Sequence, residues 1–132
     1  MARLEADEIT NEGDTSYPRL PNGLRSNAAY MYGNSTGNIA NGVFVDFTLP
    51  AGFHSALLTV TSFETSNAAS RRASLIFYTM RYGGFAQTTI HSFTAGGAPS
   101  FSISSPAVHT LRFTNNYANP CTISFAVQGN IT

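Results

Sequence analysis

A period-two pattern near the C-terminus restricts this chain more than any other feature. Cys121, Ile123, Phe125 and Val127 alternate with Thr122, Ser124, Ala126 and Gln128. Successive side chains on a strand point to opposite faces, so the four apolar residues share one face. The other face is small or polar, which is the pattern of a half-buried antiparallel strand. A second alternating run precedes it, in which Val108, Leu111 and Phe113 bracket His109, Thr110, Arg112 and Thr114. Between the runs, Asn115, Asn116, Tyr117, Ala118, Asn119 and Pro120 are dense in turn formers. The two runs read as a hairpin whose second strand closes the domain.

Similar segments extend upstream. Residues 28–32 form a short apolar run ended by Gly33 and Asn34, and residues 33–38 read as a loop. In residues 43–49, Val43, Val45, Phe47 and Leu49 oppose Phe44, Asp46 and Thr48. After a Pro50-Ala51-Gly52 turn, residues 53–63 place Leu58, Val60 and Ser62 opposite Leu57, Thr59, Thr61 and Phe63. A polar loop over 64–72 leads to residues 73–82, where both faces are apolar. Leu75 and Phe77 lie on one face with Thr79 and Arg81; Ile76, Tyr78, Met80 and Tyr82 lie on the other. Two apolar faces predict a central strand, or one whose outer face meets another subunit. Residues 87–93 read as a strand and 95–99 as a flexible turn. No segment of the body combines helical periodicity with caps. About eight short strands at turn-separated spacing predict an all-β fold, an antiparallel, jelly-roll-like β-sandwich over residues 28–132.

Residues 1–27 differ. They carry Glu5, Asp7, Glu8, Glu12 and Asp14, and after residue 14 the only carboxylates are Asp46 and Glu64. Pro18 and Pro21 block helix and central strand alike. The apolar residues are sparse, so the stretch buries too little to offset its ordering entropy alone. It reads as an extended arm that orders on a neighbour, with Leu4, Ile9, Tyr17, Pro18, Leu20, Pro21 and Leu24 as its contact residues. Charged residues make up only 11% of the chain against roughly 25% in an average soluble protein. All seven basic residues are Arg, and the formal net charge is +0. The attraction that nucleic-acid binding needs is therefore missing. An uncharged surface favours self-association, and Tyr78, Met80 and Tyr82 are expected at a symmetric oligomer interface. No apolar run approaches the roughly 18 residues of a membrane-spanning helix, and the N-terminus lacks the apolar core of a secretory signal.

Few residues carry chemistry. His54, His91 and His109 fall in three separate predicted strands without spacing to another ligand type, so no metal is expected. Asp46 and Glu64, on separate strands, do not make the flanking carboxylate pair of a glycosidase. No nucleophile elbow, phosphate loop or zinc-ligand motif is present. The chain is therefore expected to be no enzyme and to bind no cofactor. The single Cys121 sits on an apolar strand face, as a buried small hydrophobe rather than a nucleophile. Arg71 and Arg72 at a loop tip suit a phosphate or an acidic sugar, or a salt bridge to the acidic arm. Tyr117, in an Asn-rich turn beside Asn116, is the aromatic best placed outside the core. Arg71, Asn116 and Tyr117 are thus candidate glycan contacts.

Two segments carry a family resemblance. Residues 9–24, ITNEGDTSYPRLPNGL, resemble the I-x-N-x-x-G-T-x-x-P-x-F-P-N-G-L linker before C-terminal domains of tail-fibre, tailspike and other minor virion proteins of tailed bacteriophages. Asn11, Pro18, Pro21, Asn22, Gly23 and Leu24 match; Gly13 and Asp14 depart from the usual order, and Leu20 stands for Phe. The ending, with Val127, Gly129, Asn130 and Ile131, is similar to the closing strands of such domains. The resemblance implies a structural protein of the virion, a homotrimer in most such proteins, whose arm docks on other virion proteins. A small tail-fibre or head-fibre subunit, or a capsid decoration subunit, is the expectation. A receptor-binding head for host surface glycans is the alternative.

Overall fold

The alternation around Phe125 does what its period requires: Cys121, Ile123, Phe125 and Val127 are all buried, and the residues between them are not. A computed structural model describes residues 23–25, 29–49, 53–81, 84–97 and 99–131. Nine strands lie among these residues: β1 (Leu24–Arg25), β2 (Ala29–Ile39), β3 (Phe44–Thr48), β4 (Phe53–Glu64), β5 (Asn67–Arg81), β6 (Gly84–Ala95), β7 (Phe101–Ser104), β8 (Thr110–Asn115) and β9 (Cys121–Ile131). The larger sheet has the order β1-β2-β9-β4-β5-β6 and the smaller β3-β8-β7, with every pairing antiparallel. The protein is an all-β, antiparallel sandwich. No helix among the described residues is long and apolar enough to cross a membrane.

Aromatic rings join the sheets. Phe125 of β9 stacks on Phe113 of β8 at 4.7 Å and meets Phe47 of β3 edge-on at 4.9 Å. Leu58, Leu111 and Ile123 are fully buried around them. Ser62 on β4 donates to the Pro99 carbonyl at 2.9 Å, fastening the larger sheet to the start of β7.

Four sequence expectations change. The last two alternating runs are not a hairpin, because β8 and β9 belong to different sheets. The turn-rich stretch between them crosses from one sheet to the other, and Asn115, fully buried, is its pivot. Its amide donates to the carbonyls of Ile39 at 2.9 Å and Asn119 at 3.0 Å and accepts from the Tyr117 N–H at 2.8 Å. The expected loop over 33–38 is instead the second half of β2. Its pairing with β9 outweighs its poor strand propensity, and Thr36 accepts from the Ile123 N–H where the register shifts. The loop expected over 64–72 shrinks to a turn at Thr65 and Ser66, with β5 starting at Asn67. Phe101–Ser104, in no predicted strand, forms the edge strand β7.

The two sheets differ in width. At roughly 4.8 Å per step, six strands span about 24 Å and three about 10 Å. The smaller sheet covers the middle of the larger one and leaves β6 overhanging: residues 86–94 are all exposed. Leu4, Ile9, Tyr17, Pro18, Leu20 and Pro21 lie outside the described residues, whereas Leu24, expected in the arm, pairs within β1 with Met31.

Candidate functional site

The outer face of the larger sheet is unusually apolar. One register row crosses all six strands: Leu24, Met31, Gln128, Leu57, Phe77 and Thr88 stand side by side. Four of the six are large hydrophobics, 41–49% exposed. Phe93 on β6, at 59%, extends this surface. Leu24, Met31, Leu57 and Leu75 line a shallow groove of about 460 Å³ with no charged side chain among its described lining residues. Single exposed hydrophobics are ordinary on soluble proteins; a contiguous row is the mark of an interaction surface.

Tyr78 is not part of this face, which corrects the expected interface. It points into the core with no exposure, its ring 5.7 Å from that of Phe85. Burial raises the phenol far above its ordinary range. The Met80 side chain and Tyr82 lie outside the described residues. With both faces of the strand apolar, alternation could not say which one turned inward. The neighbouring strand could: Leu58 and Val60 face the core, and their register partners are Ile76 and Ser74. Leu75 and Phe77 therefore face out.

The three expected glycan contacts are not brought together as an open platform. Asn116 and Arg71 are exposed, but Tyr117 is half-buried and turned onto Glu64. Glu64, 6% exposed, accepts from Asn119 at 2.8 Å, Ser66 at 2.9 Å and the Tyr117 hydroxyl at 3.3 Å. This knot ties the β4–β5 turn to the β8–β9 crossing. Partial desolvation first, and the Glu64 carboxylate second, push the Tyr117 phenol up.

Cys121 borders the same knot and is 1% exposed. Burial first, and the charge of Glu64 second, raise its thiol above the usual range. Since the thiolate is the reactive form, Cys121 is expected to resist a disulfide reagent such as dithiobis-nitrobenzoate in the native protein and to react stoichiometrically in denaturant. Fast labelling without denaturant would contradict this packing.

Asp46 and Glu64 belong to different sheets and have different partners. Asp46 accepts two hydrogen bonds from Arg112, at 2.7 and 2.9 Å, and the guanidinium lies 3.8 Å over the Phe44 ring. The hydrogen bond from Arg112 holds the Asp46 carboxyl below its ordinary range. His91 is exposed on β6, and His109 sits not in a strand but in the turn before β8, with a φ of 60°. Among the described residues, no group of three His, Cys, Asp or Glu side chains could hold a metal ion. Sequence reasoning missed the outer row and the inward face of Arg72, because both depend on which parity of β5 meets the smaller sheet.

No protein-family model and no curated protein matches the sequence. The fold is similar to part of the tailspike protein of Acinetobacter phage vB_ApiP_P1, with 19% identity and a TM-score of 0.53 over 98% of this chain and 25% of that one. Two tailspikes of Acinetobacter baumannii phages are less similar. For phage Fri1 the values are 18% identity and TM-score 0.49 over 86% of this chain and 20% of the other; for phage AM24 they are 9% and 0.44 over 76% and 25%. The chain spans a fifth to a quarter of the length of these tailspikes. The Fri1 protein is described as a capsular polysaccharide depolymerase. The expectation of no enzyme is corrected on that description, which is of the whole Fri1 protein and not of the fifth of it that this chain matches. The activity named is that of the Fri1 protein. What the chain shares with the vB_ApiP_P1 tailspike is a β-sandwich fold.

Proposed function

We propose that this chain is a component of a bacteriophage tail, carried on the virion, that assembles with copies of itself through the outer face of its larger sheet. The row from Leu24 to Phe77 carries the reading, because four exposed hydrophobics on β1, β2, β4 and β5, with only the neutral Gln128 of β9 between them, need a partner surface. A trimer is the closed assembly that the family resemblance implies, and threefold closure satisfies such a patch without open growth. The phage part of the reading draws on the P-N-G-L linker at residues 21–24 and on the fold shared with a quarter of a phage tailspike. Residues 1–22, with Leu4, Ile9, Tyr17, Pro18, Leu20 and Pro21, attach the assembly to other virion proteins. The opposite, polar side of the sandwich is left free to meet the host surface, the receptor-binding side of the same role.

Light scattering after size exclusion tests the assembly. At micromolar concentration the chain is expected to run at three times its own mass. Phe77→Glu combined with Leu57→Glu is expected to give a folded monomer, because both side chains are already solvent-accessible in the single chain. A monomeric wild-type protein would rule out the assembly.

A further inference from the structure

The open side of the sandwich lies where its two edge strands, β6 and β7, fail to meet. A cleft of about 400 Å³ fills this gap, bounded by β5, β6 and β7. Its floor is the inward face of β5, where Arg72 precedes Ser74 and Ile76. Arg72 has the parity of the core residues Ile76 and Tyr78, whereas its neighbour Arg71 faces solvent.

The Nε of Arg72 has no acceptor among the described residues. The residue is half-buried, and that atom is shielded from solvent. Neither described carboxylate neutralises it: Asp46 is paired with Arg112, and Glu64 is occupied by Tyr117, Asn119 and Ser66. A guanidinium N–H held out of water without an acceptor is costly. The planar guanidinium fork matches a carboxylate bidentately. The rest of the cleft is neutral and rich in hydroxyls. Ser74 and Ser92 share a hydrogen bond at 3.2 Å, and Gln87, Thr89 and Ser102 add further donors and acceptors. Phe101 and Ile103 supply an apolar wall. One cation, several neutral hydrogen-bonding groups and an aromatic wall suit a small ring that carries one carboxylate and several hydroxyls.

We infer that the β5–β6–β7 cleft is a binding site for an acidic sugar, with Arg72 receiving its carboxylate and the Ser74–Ser92 side its hydroxyls. The site is on the inner side of the sheet, away from the proposed oligomer face, so loss of binding and loss of assembly are separate results. It gives the receptor-binding role a chemistry and replaces the solvent-facing Arg71 with Arg72 as its cation.

Titration of the full chain with D-glucuronate, followed by two-dimensional NMR, tests the site. Saturable shifts are expected, centred on β5, β6 and β7. D-Glucose lacks the charge, while acetate and phosphate lack the hydroxylated ring or the carboxylate. All three are expected to bind at least about tenfold more weakly. Arg72→Gln is expected to abolish the glucuronate shifts, Arg72→Lys to weaken them by about tenfold because the fork is lost, and Arg71→Gln to leave them unchanged. The inference is overturned if wild-type protein gives no saturable glucuronate shifts, if acetate or phosphate binds as tightly as glucuronate, or if Arg71→Gln removes binding as completely as Arg72→Gln.

Discussion

Phe113→Ala is expected to remove about 3–5 kcal/mol of folding stability, as large buried aromatics do when truncated. Phe113 has no solvent exposure and sits where the sheets meet. Its ring stacks on Phe125 at 4.7 Å and receives the edge of Phe47 at 6.0 Å. Truncation leaves a cavity between two sheets whose spacing is fixed by other contacts, among them the hydrogen bond from Ser62 to Pro99. The site therefore collapses poorly, which places the cost high in the usual range. Against a total stability of about 5–15 kcal/mol this is a large fraction. Urea denaturation at fixed protein concentration reads it as a lower midpoint with an unchanged slope. By contrast Val108→Ala, at a residue 58% exposed in a turn, is expected to shift the midpoint little. A loss below about 1 kcal/mol for Phe113→Ala would mean that the aromatic junction does not hold the sandwich.

The second large effect belongs to a polar residue. Asn115→Ala is expected to cost about 2–4 kcal/mol, because two carbonyls and one N–H lose their partner inside the protein and each unsatisfied group costs roughly 1–3 kcal/mol before relaxation. The carbonyls of Ile39 and Asn119 both accept from its side-chain amide, and its oxygen accepts from Tyr117. Asn115→Asp keeps the shape but sets a carboxylate against the two carbonyls, and is expected to be worse than Ala. Hydrogen exchange gives a local readout: the Tyr117 amide should lose protection in Asn115→Ala, which removes its acceptor, and keep it in Asn115→Asp, which retains the oxygen. If Asn115→Asp were as stable as wild type, the crossing would not depend on this side chain.

These two residues show where sequence reasoning reaches its limit. Period-two alternation identified the strands around Phe47, Leu58, Phe113 and Phe125, and with them the all-β class, because alternation is a local property of an extended chain. The same pattern marked Cys121 as buried. It left Tyr78 ambiguous, since a strand with two apolar faces carries no internal sign of which face is covered. The outer row of Leu24, Met31, Leu57 and Phe77 likewise exists only as a cross-strand register, assembled from four separate strands.

Local residue types also misplaced three connections. Asn, Gly and Pro mark a change of chain direction, but they do not say whether the next strand pairs in the same sheet or crosses to the other. Asn115–Asn119 crosses because a buried amide has carbonyls from two segments to satisfy, and that is a tertiary fact. Residues 33–38 become strand because β9 offers them a ladder. The sequence by itself determined that this chain is made of alternating strands around an aromatic centre with almost no charge. Only the tertiary structure decided how those strands divide into six and three. That unequal division follows from long-range pairing, which no local pattern encodes, and it exposes both the apolar outer row and the cleft that holds Arg72.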